Sequence, residues 1–321
     1  MSYIPILKYK EKMDLKVLNT LYDDIDDLIP MVEVFKKESL NLEKLDKERE
    51  IYLNLELDIS FNECVEIFEE IYETHKNIIP VINSKHSFNS LSKKDVINSI
   101  KNLLKIGFKQ YAVKIDNIHN LYIQDQMELA LLMFDDFSKV KFFLDIDYAY
   151  KYRLSTIVSD FKKCIKFLQE NISEDISDFV LCGSVVSVSS KNYDNGKNIV
   201  ENDLYKAFMQ LKTSSVINLY YADYNIDEKD RLTDDNTPVY GFYPTIKYTL
   251  PNSDILVLKS EEYKTHQEYP RLASIIKELK EYSKNHCKGC MYIDEVESTG
   301  SPATWKLNMM IHHIKTMTEL I

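Results

Sequence analysis

The chain has 321 residues, of which 45% are hydrophobic and 28% charged, and its formal net charge is −11. Because affinity for nucleic acids depends mainly on lysine and arginine, this acidic balance argues against general binding of DNA or RNA. No window approaches the roughly 20 apolar residues that a membrane helix requires, and the first residues lack the pattern of an export signal. We therefore expect a soluble, cytoplasmic protein with no membrane contact.

Eight segments run from apolar to polar residues in the direction of the chain. The clearest is VKFFLDIDYAY, in which an apolar run ends abruptly in the carboxylates of Asp145 and Asp147. The others begin near residues 4, 29, 52, 79, 111, 179 and 217, and segments with helical spacing separate most neighbours. This alternation predicts a parallel sheet covered by helices. Eight such units indicate an α/β fold with a closed, TIM-like (β/α) barrel of about 250 residues.

The repeating pattern ends after Asn225. Residues 225–241 are rich in acidic and turn-forming residues, so they predict a long loop or a lid. Residues 243–260 predict a β-hairpin with the turn LPNSD. Two helices should follow, from about Tyr269 to Asn285 and from about Pro302 to Met317. We expect residues 1–225 to form the barrel, and residues 226–321 to pack on it within a single compact unit.

Polar residues at the carboxyl ends of the strands are the first candidates for a functional site, because barrel proteins place their sites on this face. The strongest catalytic candidates each follow a strongly apolar strand: they are Lys8, Glu33, Asp145 and Asp223. Burying any of them without a partner would cost several kcal/mol by the usual order of magnitude, so partners or ligands must exist. Further strand-end candidates are Lys10, Lys114 and Ser184 for ligand binding, and Glu56, Asp58 and Asp147 for metal binding.

These strand-end charges leave three interpretations open. Converging carboxylates could bind magnesium or manganese while lysines bind a phosphate, as in a metal-dependent hydrolase or phosphodiesterase. Opposite charges in a partly dry pocket could instead supply a general acid and a general base. In the third interpretation, the groups form ion pairs that satisfy one another at the end of the barrel.

Cysteine and histidine spacing offers two further motifs. The chain has five cysteines, an odd number scattered along it, which indicates reduced thiols rather than a disulfide framework. Cys287 and Cys290 have the spacing of two metal ligands, yet no second cysteine pair completes a zinc set, so we expect no metal or redox role there. His312 and His313 point about 100° apart on a helix and cannot both bind one ion, so only one should face inward. It would form a structural hydrogen bond or enter the pocket.

Several segments resemble the beta family of proteins found in tailed phages and bacteria. They are YIPILKYK at the start, IPMVEV after the first helix, YADYN, IKYT followed by ILVLKS, and TGSPATWKLNMMIHHI near the end. The resemblance covers nearly the whole chain and implies a phage or phage-defence setting. It marks ten positions as candidates for the site: Lys8, Glu33, Asp223, Tyr224, Lys247, Tyr248, Trp305, Lys306, His312 and His313. Of these, Trp305 is expected to be a packing anchor for the last helix or a stacking platform.

Two functional hypotheses follow. In the first, the barrel binds a small anionic or phosphorylated ligand at the carboxyl ends of its strands, with Mg or Mn if it is a hydrolase. In the second, the protein is a non-catalytic interaction or sensor module in anti-phage defence. A phage or host protein would then contact the acid-rich loop of residues 225–241.

Overall fold

The computed structural model describes residues 2–9, 13–37, 40, 45–57, 59–83, 93–120, 123–172, 178–214, 217–229, 243–263, 266–295 and 300–321. Eight parallel strands form a closed barrel. They are β1 (Tyr3–Lys8), β2 (Met31–Val34), β3 (Ile51–Leu55), β4 (Ile78–Asn83), β5 (Tyr111–Ile115), β6 (Val140–Asp145), β7 (Asp178–Gly183) and β9 (Asn218–Asp223). The predicted TIM-like barrel is therefore confirmed.

The strands are buried on both sides, which is why their sequences are apolar at almost every position. Successive side chains alternate between the barrel interior and the surrounding helices. Met31, Tyr52 and Phe143 belong to the cluster that fills the interior. A polar residue follows two positions after many interior residues, as Glu33 follows Met31 and Asp145 follows Phe143. The last interior layer at the carboxyl ends is consequently polar.

Helices follow most of the strands. They are α1 (Met13–Tyr22), α2 (Phe61–Tyr72), α3 (Lys93–Ile106), α4 (Ile123–Met133), α5 (Leu154–Asn171) and α6 (Asp203–Ser214). A capping box starts α2, since the Ser60 hydroxyl accepts from the Glu63 N–H at 3.3 Å while the Glu63 carboxylate accepts from the Ser60 N–H at 2.8 Å. Gly107 follows α3 with a φ of +92°, a conformation that glycine adopts freely.

The C-terminal part contains a small antiparallel sheet. β10 (Thr245–Thr249) and β11 (Ile255–Lys259) form the predicted hairpin. β11 also pairs with β8 (Gly196–Val200), a strand that the sequence did not reveal and that precedes α6 in the chain. Hydrogen bonds therefore link the two sides of the boundary expected at residue 225, although the division into two parts stays a prediction.

Three helices complete the chain: α7 (Glu268–Lys277), α8 (Lys288–Glu295) and α9 (Pro302–Leu320). α7 ends earlier than its predicted end near Asn285, and α8 was not predicted. α9 begins as predicted, because the Ser301 hydroxyl caps it by accepting from the Thr304 N–H at 3.1 Å. α9 packs against α1, α8 and β10. Among the helices in the described residues, none is long and apolar enough to cross a membrane.

Candidate functional site

Lys114 is the central cation of the polar layer at the barrel mouth. Its Nζ lies 2.7 Å from Glu33 Oε1 and 3.4 Å from the nearest oxygen of both Asp116 and Asp145. Lys114, Glu33 and Asp145 are almost completely buried. Burial by itself lowers the pKa of Lys114, but the surrounding carboxylates outweigh it and raise this pKa well above its ordinary value. Lys114 is therefore a charged group held inside the barrel by its acidic partners.

Lys229 is a second cation in this layer, and it was missed in the sequence. Its Nζ contacts the carboxylates of Asp116, Asp145 at 3.0 Å and Asp147 at 2.5 Å. Its backbone N–H donates to the Ser184 hydroxyl at 2.8 Å, which fixes the segment that follows β9. In the sequence, Lys229 falls within the predicted loop of residues 225–241. The signal that could have identified Lys229 in the sequence is its position a few residues after β9, between two acidic residues.

Neutral donors bind the same carboxylates. The Tyr224 hydroxyl donates to Asp145 Oδ2 at 2.7 Å and lies 3.4 Å from Glu33 Oε1. The Asn54 amide donates to Glu33 at 3.1 Å and to Glu56 at 2.9 Å. Glu56, a metal-ligand candidate, therefore reaches the layer. Asn54 could have been recognised in the sequence, because it lies midway between Tyr52 and Glu56 at intervals of two residues, which places all three on the interior side.

Among the described residues, the layer contains more carboxylates than ammonium groups. Its acids are Glu33, Glu56, Asp116, Asp145 and Asp147, and they share contacts with Lys114 and Lys229. Burial raises the pKa of Glu33, which the charge of Lys114 offsets only in part. Burial and the neighbouring charge of Asp145 raise the pKa of Asp147 to about 6. Excess negative charge in a buried layer thus favours the uptake of protons or of additional cations.

Three of the carboxylates have the arrangement of a divalent-cation site. Asp116, Asp145 and Asp147 each offer one oxygen, and these oxygens lie within 4.8 Å of one another. Magnesium and manganese favour such carboxylate ligands. Lys229 Nζ occupies the space among them, so its ammonium group and a metal ion would compete for the same oxygens.

The four catalytic candidates do not all converge. Lys8 joins Glu33 and Asp145 at the mouth, with its Nζ 5.8 Å from the centroid of the Tyr224 ring. Asp223 faces outward, because it lies two residues after Tyr221 and therefore on the same, helix-facing side of β9. It accepts hydrogen bonds from the Tyr3 hydroxyl at 2.9 Å and from His313 Nε2 at 3.0 Å. Asp223 therefore connects the barrel wall to α9.

The paired histidines of α9 have separate partners. His313 Nδ1 lies 2.7 Å from the Thr249 hydroxyl, so His313 bridges Asp223 and β10. His312 Nε2 lies 2.8 Å from the Thr249 carbonyl oxygen, and its ring stacks on Tyr248 at 4.1 Å. Both histidines are buried, whereas we expected only one to face inward. The reason is that α9 has the barrel on one side and the hairpin and α8 on the other.

A cleft of about 640 Å³ lies beside the mouth, between the segment after β7, β10, α7 and α9. We call it the lysine cleft, because Lys191, Lys247 and Lys306 line it together with His266. Its described lining residues include no aspartate or glutamate. The ring of Trp305 forms part of the wall and stacks on Tyr269 with 5.2 Å between ring centroids. Trp305 is buried, which fits a packing anchor.

Two lysines of the cleft are held by the segment after β9. Lys306 Nζ lies 2.5 Å from Asp227 Oδ2, and Lys247 Nζ donates to the Ile226 carbonyl at 3.0 Å. Burial raises the pKa of Asp227, but the charges of Lys306 and Lys8 outweigh it and the pKa is lowered. The Asp227 carboxylate thus lies near Lys306, Lys8 and Lys247, and its direct ion pair is with Lys306.

Other predicted positions contribute structure or lie outside the described residues. Ser184 is buried and accepts from Lys229, as stated above. A Cβ on Gly183 would lie 2.8 Å from Cγ2 of Ile146, so the glycine allows the residue that follows β6 to approach closely. Lys10, Asp58 and residues 230–241 of the predicted loop lie outside the described residues.

A protein-family model identifies the family of this chain. The family model described as Beta protein matches residues 3–319. The chain belongs to the Beta protein family. This match confirms the resemblance that segments along nearly the whole chain indicated.

Other comparisons add no functional information about this Beta protein. No curated protein matches the chain. Among solved structures, it is similar to a dTDP-glucose 4,6-dehydratase from Bacillus anthracis in complex with NAD, with 8% identity over 99% of this chain and 97% of that chain. The TM-score is 0.25, which is too low to support an argument about fold or function.

Proposed function

We propose that this Beta protein binds a small phosphorylated molecule in the lysine cleft. The supporting observation is the convergence of Lys191, Lys247 and Lys306 on a cleft whose described lining has no acidic residue. Its volume of about 640 Å³ falls within the range of roughly 300–1,000 Å³ that is usual for small-molecule sites. Lysine ammonium groups bind phosphate oxygens by charge-assisted hydrogen bonds.

The charge distribution favours the lysine cleft over the barrel interior for an anionic ligand. The mouth layer is acidic in excess, and Glu33, Lys114 and Asp145 are buried and bonded to one another. An anion entering that layer would meet repulsion from its carboxylates. The lysine cleft lies outside this layer and presents the opposite sign of charge.

Thermal melting tests the binding proposal. We would measure the melting temperature of the full chain with phosphate, pyrophosphate, ribose 5-phosphate, AMP and uncharged adenosine. A ligand at about 100 times its Kd adds roughly 2.7 kcal/mol to the free energy of unfolding, so a bound phosphorylated compound should raise the melting temperature by several degrees.

Lysine variants locate the effect. Lys247→Ala and Lys191→Ala should reduce the ligand-induced shift, whereas Lys101→Ala, which removes an exposed lysine of α3, should retain it. The proposal fails if no phosphorylated compound raises the melting temperature. It also fails if the shift is as large in Lys247→Ala as in Lys101→Ala.

A second candidate function is metal-dependent hydrolysis of a phosphate compound at the barrel mouth, where a bound metal ion would offset the repulsion from the carboxylates. It is favoured by the oxygens of Asp116, Asp145 and Asp147, which lie within 4.8 Å of one another. These residues would hold Mg²⁺ or Mn²⁺ after Lys229 has left them, and the metal would polarise a phosphoryl oxygen. Lys229→Ala should therefore increase the stabilisation by Mn²⁺. Unchanged stabilisation, together with no release of phosphate from any compound, would exclude this chemistry.

A phage or phage-defence setting is part of the same proposal and rests on the family resemblance. The binding hypothesis predicts that phage forms fewer plaques on a host that produces the wild-type chain than on a host that produces Lys247→Ala. The interaction-module hypothesis predicts equal protection by both proteins. If neither protein reduces plaque numbers relative to an empty vector, the defence setting fails.

A further inference from the structure

Four potential metal ligands meet between α8 and α9, far in the sequence from the residues of the mouth. Cys287 precedes α8, Cys290 lies in its first turn, and His312 lies on α9. With His286, each offers one ligand atom, and all four atoms lie within 4.8 Å of one another. His312 Nδ1 lies 3.6 Å from Cys287 Sγ and 3.4 Å from Cys290 Sγ.

These distances are those of a tetrahedral zinc site. Zinc binds sulfur at about 2.3 Å and imidazole nitrogen at about 2.0–2.1 Å, which places adjacent S and N ligands about 3.5 Å apart in a tetrahedron. Both sulfur–nitrogen distances in the structure, 3.6 and 3.4 Å, lie close to that value. Cys287, Cys290 and His312 are buried, and the His286 side chain is 23% exposed, which leaves an entry side for a metal ion.

The histidine hydrogen bonds leave the correct nitrogen free to act as a ligand. His312 Nε2 lies 2.8 Å from the Thr249 carbonyl oxygen, which can only accept, so Nε2 carries the proton and Nδ1 presents its lone pair to the thiols. His286 Nε2 lies 2.7 Å from the Glu319 carboxylate in the same way. Zinc-binding histidines usually donate their second nitrogen to such a carbonyl or carboxylate.

Gly289 explains how the cysteines reach His312. A Cβ at this position would overlap the Asn308 carbonyl oxygen and lie 3.0 Å from His312 Cβ. The glycine between the two cysteines therefore allows α8 to approach the backbone of α9 closely. The sequence showed only one cysteine pair, whereas the fold supplies two histidines as the second pair.

We propose that Cys287, Cys290, His286 and His312 bind one structural zinc ion that joins α8 to α9. Four protein ligands complete a tetrahedral coordination sphere and leave no position for a substrate, which is the pattern of a structural site. On binding, the two thiols lose their protons to solvent, and the two imidazoles bind as neutral ligands. The site is separate from the lysine cleft and does not depend on the function proposed there.

Metal analysis and cobalt substitution test this site. The full chain would be purified with reductant and added zinc, freed of excess metal, and its zinc content measured by mass spectrometry. We expect about one zinc per chain, and Co²⁺ exchange should give the strong visible d–d bands of a tetrahedral site with a thiolate-to-cobalt charge-transfer band.

Variants and a second measurement make the test decisive. Cys290→Ser and the milder His286→Ala should lose most of the zinc, whereas Cys164→Ser, at a buried cysteine of α5, should retain it. The proposal is overturned if the wild-type chain holds no stoichiometric zinc and gives no tetrahedral Co²⁺ spectrum. It is equally overturned if a Cys287–Cys290 disulfide forms in the zinc-supplemented protein, or if Cys164→Ser loses as much zinc as Cys290→Ser. The wild-type cobalt spectrum decides the question even if Cys290→Ser does not fold.

Discussion

At the scale of single residues, Lys114 is the cation that makes the polar layer compatible with burial. It contacts Glu33 directly and lies within 3.4 Å of Asp116 and Asp145. Removing one partner of a buried ion pair leaves an uncompensated charge, which typically costs about 3–5 kcal/mol. The buried carboxylates of the layer therefore depend on the ammonium group of Lys114.

Lys114→Met should lower the free energy of unfolding by about 3–5 kcal/mol, because several buried carboxylates lose their shared ammonium group. Urea denaturation would measure the change. Lys101→Met, at an exposed position of α3, should change stability by less than about 0.5 kcal/mol. Equal effects of the two variants would contradict our description of the layer.

Asp147 should make stability depend on pH. Its pKa of about 6 in the folded chain is above the value of about 3.9 in an unfolded chain. The protonated carboxyl group therefore contributes stability at low pH that is lost as the pH rises from about 4 through 6. Asp147→Asn should reduce this loss by up to about 3 kcal/mol, since one pKa unit corresponds to about 1.4 kcal/mol.

Chelator-treated protein unfolded in urea at several pH values would reveal this dependence. The exposed Asp125→Asn on α4 should follow the wild-type curve. If the free energy of unfolding of Asp147→Asn changes between pH 4 and 6 in parallel with that of the wild-type chain, the raised pKa is incorrect.

The inward or outward direction of a strand-end residue could be predicted only in part. Asp145 and Asp223 both end apolar strands, yet one enters the mouth and the other bonds to α9. Side-chain alternation decides between them, but a strand buried on both sides gives no sequence signal for which residues face inward. Lys229 was missed for a different reason, because its polar neighbours are typical of a loop.

At the scale of elements, α9 is fixed by two adjacent histidines that have different sets of partners. His313 bonds to Asp223 of β9 and to the Thr249 hydroxyl of β10. His312 bonds to the Thr249 carbonyl oxygen and contacts the thiols beside α8. The helix thereby connects the barrel, the hairpin and α8.

His313→Ala should destabilise the chain by about 2–4 kcal/mol, because Asp223 and Thr249 remain buried after losing their imidazole partner. Relative to the wild-type chain, amide hydrogen exchange in His313→Ala should accelerate more in α9 than in β5. Lys315→Ala removes only a partly exposed pair with Glu319 on the same helix and should cost no more than about 1 kcal/mol. If α9 exchanges equally in both variants, the histidine does not anchor the helix.

Gly289→Ala should separate α8 from α9. The added methyl group would contact the α9 backbone and cost roughly 1–3 kcal/mol through overpacking. In this variant the zinc content should decrease, and so should the free energy of unfolding measured by urea denaturation. Met291→Ala, at an exposed position of the same helix, is the matched control and should affect neither quantity much. A fully stable Gly289→Ala protein would contradict the close helix contact.

Elements with regular patterns were predicted well, and elements defined by distant partners were not. The eight barrel strands, the hairpin and the start of α9 follow from apolar runs and capping residues. β8 has exposed positions at Lys197 and Ile199, and its hydrogen-bonding partner β11 is more than 50 residues away in the sequence. A short, half-exposed edge strand of this kind carries little local signal.

At the scale of the whole molecule, opposite charges are separated at one end of the barrel. The chain has a net charge of −11, and its buried mouth layer is rich in carboxylates. Lysines nevertheless line the neighbouring cleft beside α9. Because the acidic layer is closed by its own ion pairs, the cleft is the surface on which we expect an anionic ligand to bind.

A crystal structure of the full chain with pyrophosphate tests this expectation most directly. We predict pyrophosphate density in the lysine cleft, within hydrogen-bonding distance of Lys191 and Lys247, and none there in the Lys247→Ala protein. Density inside the acidic mouth layer, or a cleft without pyrophosphate at saturating concentration, would contradict our account of how this barrel binds its ligand.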